Sequence, residues 1–596
     1  MLRIWRSPSS DFGHFNRFDD PSKEETFTAL DAYTDAELSR ISSAGFNAVW
    51  VHGNLGNVVQ TEVFPELGKD AEIHQQRLNA LIERAGSHEI KVVLYCQPPR
   101  AIPLDHRLWE NHPDVAGQVE EIMDDDSKPL KLQSLCTSTP QVKDYLFQAA
   151  VELATKVPGL GGIIMITASE YPAHCWARRG NIMLADGSMA VAEIECPRCR
   201  MRKAGEVVSE VIQLVRDGIR SVNQEMKIIA WNWSWSFYEP SPCPEIISAL
   251  PRDVILLVDF ERGGKKVIAG RTIEIDEYSL GYTGPSEQFM ESLDVARRNG
   301  LEVMAKLQFG TTHEMATVPN LPVMGNVFGK ALAVRRLKLS GFMGCWNFGN
   351  MVTANAAGFN ACLSGRLPDD RNSALRQFAA EYFPGCDASA VTEAWLKFGE
   401  AMDCYPFSTT FLYAGPANFS FILPTSPGPL TGKPIGRSWL LDERGDDMSA
   451  ALGSNTIDEV IAGFEKLTAL WGEGLQLLRK ALSSSQDQHA KEELDTAAVC
   501  WHAFRSTTSF CKIYRLRKAW EAGMLPEYQR IIRDELANLQ AVLPVLQQDA
   551  RFGYHIEAHG YQYDAKGVAA RINDLKYQLP NMATNLLERH IQPIFG

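Results

Sequence analysis

The chain has 596 residues, 45% hydrophobic and 22% charged, a composition suited to a globular protein with more than one core. Its 73 acidic against 59 basic residues leave a net charge of −14, which argues against a nucleic-acid partner and suits a neutral or cationic small substrate. There is no run of about 18 apolar residues and no apolar signal core in MLRIWRSPSS, so neither a membrane partner nor secretion is expected. The twelve cysteines are scattered, several inside apolar runs (Cys96, Cys345, Cys500) as reduced core thiols are, and the cytoplasm is the expected compartment.

Through the first 350 residues, short apolar runs alternate with amphipathic helical stretches. The runs predict strands at 2–6, 47–52, 90–97, 162–168, 227–233, 254–260, 302–308 and 341–346. Helices are predicted between them at 35–44, 74–87, 140–155, 205–223 and 285–299. Eight such alternations predict an α/β fold of the (β/α)8 barrel type, a TIM barrel, over residues 1–365. A doubly wound open sheet is weakened because no G-x-G-x-x-G follows the first strand. Beyond residue 366 long helical patterns predict an all-α C-terminal domain over 366–596, with helices at 456–483, 488–522, 527–547 and 564–589. A Pro/Gly/aromatic stretch at 405–437 is too long for an ordinary connection and reads as a functional loop or lid, or as an irregular segment packed on the barrel. The helical domain also offers a surface for homo-oligomer formation.

Each predicted strand turns polar or aromatic at its C-terminal tip, and in a barrel these tips converge on one mouth. The tips supply Arg6, His52, Glu170, Asn232 with Trp233, Asp259 with Glu261, Gln308 with His313 and Glu314, and Trp346 with Asn347. Glycosidic bond cleavage needs a carboxylic acid to protonate the leaving oxygen and a second carboxylate as nucleophile or base. Glu170, among small and apolar neighbours at the fourth tip, is the expected acid. Glu314 is the first choice for its partner, Asp259 the second and Glu261 the third. The segment WNWSWSFY, read as extended, puts Trp231, Trp233 and Trp235 on one face, where indoles stack on the apolar faces of sugars while amides bond hydroxyls. On this reading Arg6, His52, Asn232, Trp233, Glu261, Gln308, His313, Trp346 and Asn347 bind substrate. His555 and His559 join His52 and His313 as further hydroxyl ligands or a metal set.

Cys175, Cys196 and Cys199 form C-x20-C-x2-C in a cysteine-rich insertion at 171–204. The spacing, with its C-P-R-C knuckle, is that of a zinc site of structural role. His174 is the nearest fourth ligand, and Cys136 on the preceding loop is the alternative. No G-x-S-x-G, Walker A or H-E-x-x-H sequence occurs, which lowers the serine hydrolase, NTPase and zincin readings.

The motifs ITASEYP, WNWSWSF, THE and CWNFGN resemble (β/α)8 glycoside hydrolases, nearest in kind to the hexosaminidase-like (family 20) barrels with an appended helical domain. That resemblance implies a glycosidase with Glu170 as acid. Family 20 enzymes carry an Asp-Glu pair at the fourth tip, whereas here Ser169 precedes Glu170. The departure turns the expectation toward classical retaining glycosidases, with Glu170 as acid/base and Glu314 as nucleophile, acting exo on short oligosaccharides. The alternatives are an N-acetylhexosaminidase-like or inverting enzyme using a strand-six carboxylate, a zinc-dependent hydrolase centred on the Cys/His loop, and a non-catalytic sugar-binding barrel.

Overall fold

The computed structural model describes residues 1–10, 20–123, 128–168, 171–177, 181–183, 189–191, 193–268, 270–346 and 351–591. Eight parallel strands close into a barrel: β1 (Leu2–Trp5), β2 (Ala48–His52), β3 (Lys91–Cys96), β4 (Gly162–Ile166), β5 (Lys227–Trp231), β6 (Ile255–Asp259), β7 (Glu302–Leu307) and β8 (Gly341–Gly344). Each strand pairs with its neighbour in sequence, and β8 closes the barrel by pairing Leu2 with Gly341 and Ile4 with Met343. The strands are continuous apolar runs because a parallel barrel buries both faces, its inside by packing and its outside under helices. Val49, Trp50 and Val51 on β2 and Ile163, Ile164 and Met165 on β4 are all fully buried. Closure also needs Gly341, where an added Cβ would stand 2.3 Å from the Leu2 carbonyl oxygen.

The expected helices form with local reasons for their ends. Thr34 caps Asp35–Ser43 by accepting from the Glu37 amide, and Ser286 caps Glu287–Arg298 by accepting from the Phe289 amide. Excursions that the apolar pattern does not announce leave the barrel after β3 and β6. The first pairs Ile102–Pro103 and Ala116–Met123 with Pro129–Leu135, and the second pairs Gly264–Ile268 with Arg271–Ile275.

The chain divides into two compact units, and not by one cut near 365. One unit holds Met1–Phe260, Ser286–Leu307 and Leu337–Gly344, and with them all eight barrel strands. The other holds Glu261–Pro285, Gln308–Arg336 and Cys345–Gly596. The second unit is mainly helical, with Ala388–Met402, Ile457–Leu482, Gln488–Lys518, Leu525–Gln548 and Ala565–Ile591 as its long elements. A capping box at Thr456 and Glu459 starts Ile457–Leu482. The Phe398 ring lies 4.4 Å from the Trp471 ring, and Trp471 donates its indole N–H to the Ala497 carbonyl at 2.9 Å. The 405–437 stretch contains a short helix, Thr409–Ala414, and two tight turns. It is anchored through buried Phe411, Phe419, Phe421 and Leu423, and Asn418 bonds Ala316 N and His313 O.

Among the described residues no helix is long and apolar enough to cross a membrane.

Candidate active site

Within the barrel unit, the C-terminal ends of the strands carry a dense set of polar and aromatic groups. Arg6, just past β1, is fully buried and pairs with Glu25 at 2.7 Å while its guanidinium lies 4.0 Å over the Trp50 ring. Glu25 also accepts from the His52 amide at 2.8 Å, so this ion pair ties the first two tips together. The Arg6 charge is matched inside the wall by Glu25. His52 Nε2 lies 3.2 Å from Gln97 Oε1 and 3.3 Å from Arg100 Nη1. Burial first, and the Arg100 charge second, hold its pKa well below the ordinary histidine value, so it is neutral. Arg100 in turn lies 3.9 Å over the ring of Tyr171. Ser169 and Glu170, immediately before Tyr171, lie outside the described residues.

On β5 the strand ends at Trp231, and the tryptophans that follow do not share one face as an extended segment would require. Ser234 takes a left-handed conformation (φ 65°) and a tight turn follows over Trp235–Phe237. Trp231 is buried and donates its indole N–H to Asp259 Oδ1 at 2.8 Å; Trp235 is buried with its indole 3.4 Å from Thr167 Oγ1; Trp233 stays half-buried. Asn232 is half-buried beside it, and its Oδ1 is a buried oxygen with no hydrogen-bond partner among the described residues. Asp259 ends β6 at 5% exposure, in register with Lys306 on β7. Lys306 is fully buried, with its ammonium 5.7 Å from the centre of the Trp231 ring. A cavity of about 910 Å³ lies against the same stretch of chain, lined by Trp176, Phe237 and Tyr238 together with Lys203 and Glu245.

Two groups here were not singled out by sequence reasoning. Lys306 had a readable signal, a lone cation in the apolar strand EVMAKL. Glu24 had none, because its character comes from its surroundings: enclosure of its carboxyl pushes its pKa up to about 7, against the Arg100 charge and a hydrogen bond from Asn57.

The second unit holds the remaining candidates. Glu314 is 1% exposed and accepts from Ser279 Oγ (3.0 Å), Leu280 N (2.8 Å), Gly281 N (3.4 Å) and Thr312 Oγ1 (3.1 Å). Both of its oxygens are engaged by local donors, as buried carboxylates generally are. Glu261 is fully buried and paired with Lys330 at 2.5 Å, and it also accepts from Gln308 N at 3.0 Å. Its charge is thus matched by the Lys330 ammonium. Gln308 is fully buried, and neither atom of its side-chain amide has a partner among the described residues. Trp346 is buried and Asn347 lies outside the described residues. His313 sits among the rings of Tyr278 and Tyr413, each 5.0 Å away, with Nδ1 3.2 Å from Ser438 Oγ and Nε2 3.4 Å from Glu557. Its ring, that of His555 and the Glu557 carboxylate bring three ligand atoms within 4.8 Å of one another, and neither His52 nor His559 belongs to this group.

Cys136, Cys175, Cys196 and Cys199 are brought together in the barrel unit. His174 is not among them. Its Nε2 lies 2.7 Å from the Thr167 carbonyl and its Nδ1 accepts from Trp176 N, so both ring nitrogens are bonded to backbone.

No known family's sequence profile matches the chain, and no curated protein does. Among solved structures, the chain is similar over 100% of its length to a GH138 enzyme targeting pectin rhamnogalacturonan II, covering 68% of that chain at 9% identity with a TM-score of 0.56. It also aligns with a Bacteroidetes-affiliated GH5 cellulase (13% identity, 63% of this chain and 94% of that one, TM-score 0.37). A third alignment is with CpGH84B (9% identity, 96% and 76%, TM-score 0.38). Scores this low give the latter two no weight. The first establishes a shared architecture, a closed parallel (β/α)8 barrel followed by a helical region.

Proposed function

We propose that the chain is a glycoside hydrolase acting at the C-terminal end of its barrel, with Glu170 as the acid and Asp259 as the anionic partner. The observation that carries this reading is the group at the β5 and β6 tips: a carboxylate bonded by an indole N–H, a half-buried tryptophan and an amide oxygen with no partner among the described residues. A sugar ring needs those three kinds of contact, an anion at its reacting carbon, an apolar platform, and acceptors for its hydroxyls. The likeness of fold to an enzyme that targets pectin rhamnogalacturonan II supports the same class of substrate, a glycan.

The Trp231 indole N–H donates to Asp259 Oδ1, a contact compatible with a carboxylate nucleophile or base. Asp259 as nucleophile would attack the anomeric carbon while Glu170 protonates the departing oxygen; Glu170 would then deprotonate the water that releases the sugar, with net retention. Lys306 stands beside Asp259 in register on the neighbouring strand. Asn232 would accept a hydroxyl, Trp233 would stack on the ring, and neutral His52 would serve as a hydrogen-bonding group. The aromatic cavity at Trp176 and Phe237 would take further sugars of a short oligosaccharide. The closely grouped thiols, held without disulfide bonds, favour a reducing compartment such as the cytoplasm.

The test is a panel of aryl glycosides and short oligosaccharides, followed by proton NMR of the first-formed anomer on any substrate cleaved. Loss of activity in Asp259→Gly, with azide restoring turnover and yielding a glycosyl azide of inverted configuration, identifies Asp259 as the nucleophile. An inert wild type across the panel would favour a sugar-binding barrel instead.

A further inference from the structure

We infer that Cys136, Cys175, Cys196 and Cys199 form a structural zinc site that fastens three separate stretches of the barrel unit to one another. The four sulfurs all lie within 4.8 Å of one another, and Cys136 Sγ is 3.6 Å from both Cys196 Sγ and Cys199 Sγ. Zn–S bonds of about 2.3 Å in a tetrahedron hold sulfurs roughly 3.8 Å apart, whereas a disulfide needs about 2.05 Å. The spacing is therefore that of ligands around one ion.

The surroundings are built for thiolates. Arg198 donates Nε–H to Cys136 Sγ at 3.2 Å and fixes its own position by bonding the Ala116 carbonyl at 2.7 Å. Ser138 Oγ lies 3.2 Å from Cys199 Sγ and accepts from Arg202 at 3.3 Å. Four thiolates around Zn²⁺ leave a net charge of −2, and two guanidinium groups stand next to it or one hydroxyl away. Such outer partners orient ligands and balance their charge. The C-P-R-C knuckle turns tightly, with Arg200 N bonding the Cys196 carbonyl and Arg202 N bonding that of Cys199. Gly117 leaves the room: a Cβ there would stand 2.5 Å from Cys175 Sγ. Ile194 and the partly buried Trp176 pack around the group and keep water away.

The ligands come from three stretches well separated along the chain. Cys136 follows the strand Pro129–Leu135, Cys175 follows β4, and Cys196 and Cys199 precede the helix Ala204–Val222. A closed set of four protein ligands has no open position for water or substrate, so the ion is a clamp and not a reaction centre. It fixes residues 171–177, which continue directly from Glu170, and this also sets aside the reading of the Cys/His loop as a zinc-dependent hydrolase.

Metal analysis of the full chain purified under reducing conditions tests the site. One equivalent of zinc per chain is expected, lost in Cys136→Ser and kept in His174→Ala. Absence of metal, both as purified and after reconstitution with Zn²⁺, would overturn the inference, as would zinc kept in Cys136→Ser but lost in His174→Ala. Should the cysteine variants fail to fold, Co²⁺ substitution of the wild type decides: the visible spectrum of a tetrahedral four-thiolate site is expected, and that of three thiolates with one imidazole contradicts it.

Discussion

Asp259 and Glu314 are both buried carboxylates near the ends of barrel strands, and their surroundings differ sharply. Glu314 is wrapped by two hydroxyls and two backbone amides drawn from Ser279–Gly281 and Thr312. Asp259 ends a barrel strand with an indole N–H directed at one oxygen, beside Lys306 in register and next to an amide oxygen on the adjoining tip that has no partner among the described residues. Burial alone does not mark a catalytic acid or base. What distinguishes the two is the company each anion keeps, loop amides and hydroxyls around one, an indole, a cation and a sugar-compatible platform around the other.

That contrast breaks most visibly through substitution. Asp259→Asn keeps the shape and removes the charge, and kcat should fall by about 10²–10⁴-fold or more with the fold intact by circular dichroism. The same loss is expected for Glu170→Gln. Glu314→Ala should do the reverse, because its four donors lose their acceptor. Thermal or urea unfolding should show a loss of several kcal/mol, at about 1–3 kcal/mol for a buried polar group left unsatisfied, while the molecules that remain folded turn over nearly as wild type.

A third buried carboxylate sharpens the point through pH. Glu493 accepts from the Trp395 indole at 2.7 Å and the Asn320 amide at 3.4 Å, yet burial pushes its pKa up to about 7. Folding therefore takes up a proton between about 4.5 and about 7. The group's contribution to stability is complete below the lower value and is lost as the pH rises through the upper one. Glu493→Gln should remove that part of the pH dependence, with a gain over wild type of up to roughly 3 kcal/mol above pH 7, read from urea unfolding at several pH values. The smallest effect is expected at the sugar platform. Trp233→Ala should raise KM about 3–10-fold with little change in kcat, the size of one lost stacking contact of about 0.5–1.5 kcal/mol.

The barrel was legible because its strands are buried on both faces and so appear as unbroken apolar runs. All eight expected strands form, each within a few residues of its predicted ends. The site was less so, because its chemistry depends on which side chains meet. Trp231, Trp233 and Trp235 looked like one face until the left-handed Ser234 broke the strand. Cys136 and Cys196 are 60 residues apart in the chain, while His174 stood next to Cys175, and only the fold shows the distant residue joining the cluster and the adjacent one bonding backbone. Glu314 carried a motif but no sign of the four donors around it. The interleaving of the two units follows from excursions after β6, β7 and β8, which a linear boundary at 365 has no means of expressing.

The central claim is that Asp259 and not Glu314 is the carboxylate that partners Glu170. The most direct measurement is kcat/KM for Asp259→Asn and Glu314→Gln side by side, on the best glycoside in the panel, with each variant's folded fraction known. A fall of at least about 10²-fold is expected for the first and a change within a few fold for the second. Equal activity of Asp259→Asn and wild type, with collapse of Glu314→Gln in its folded state, would contradict it.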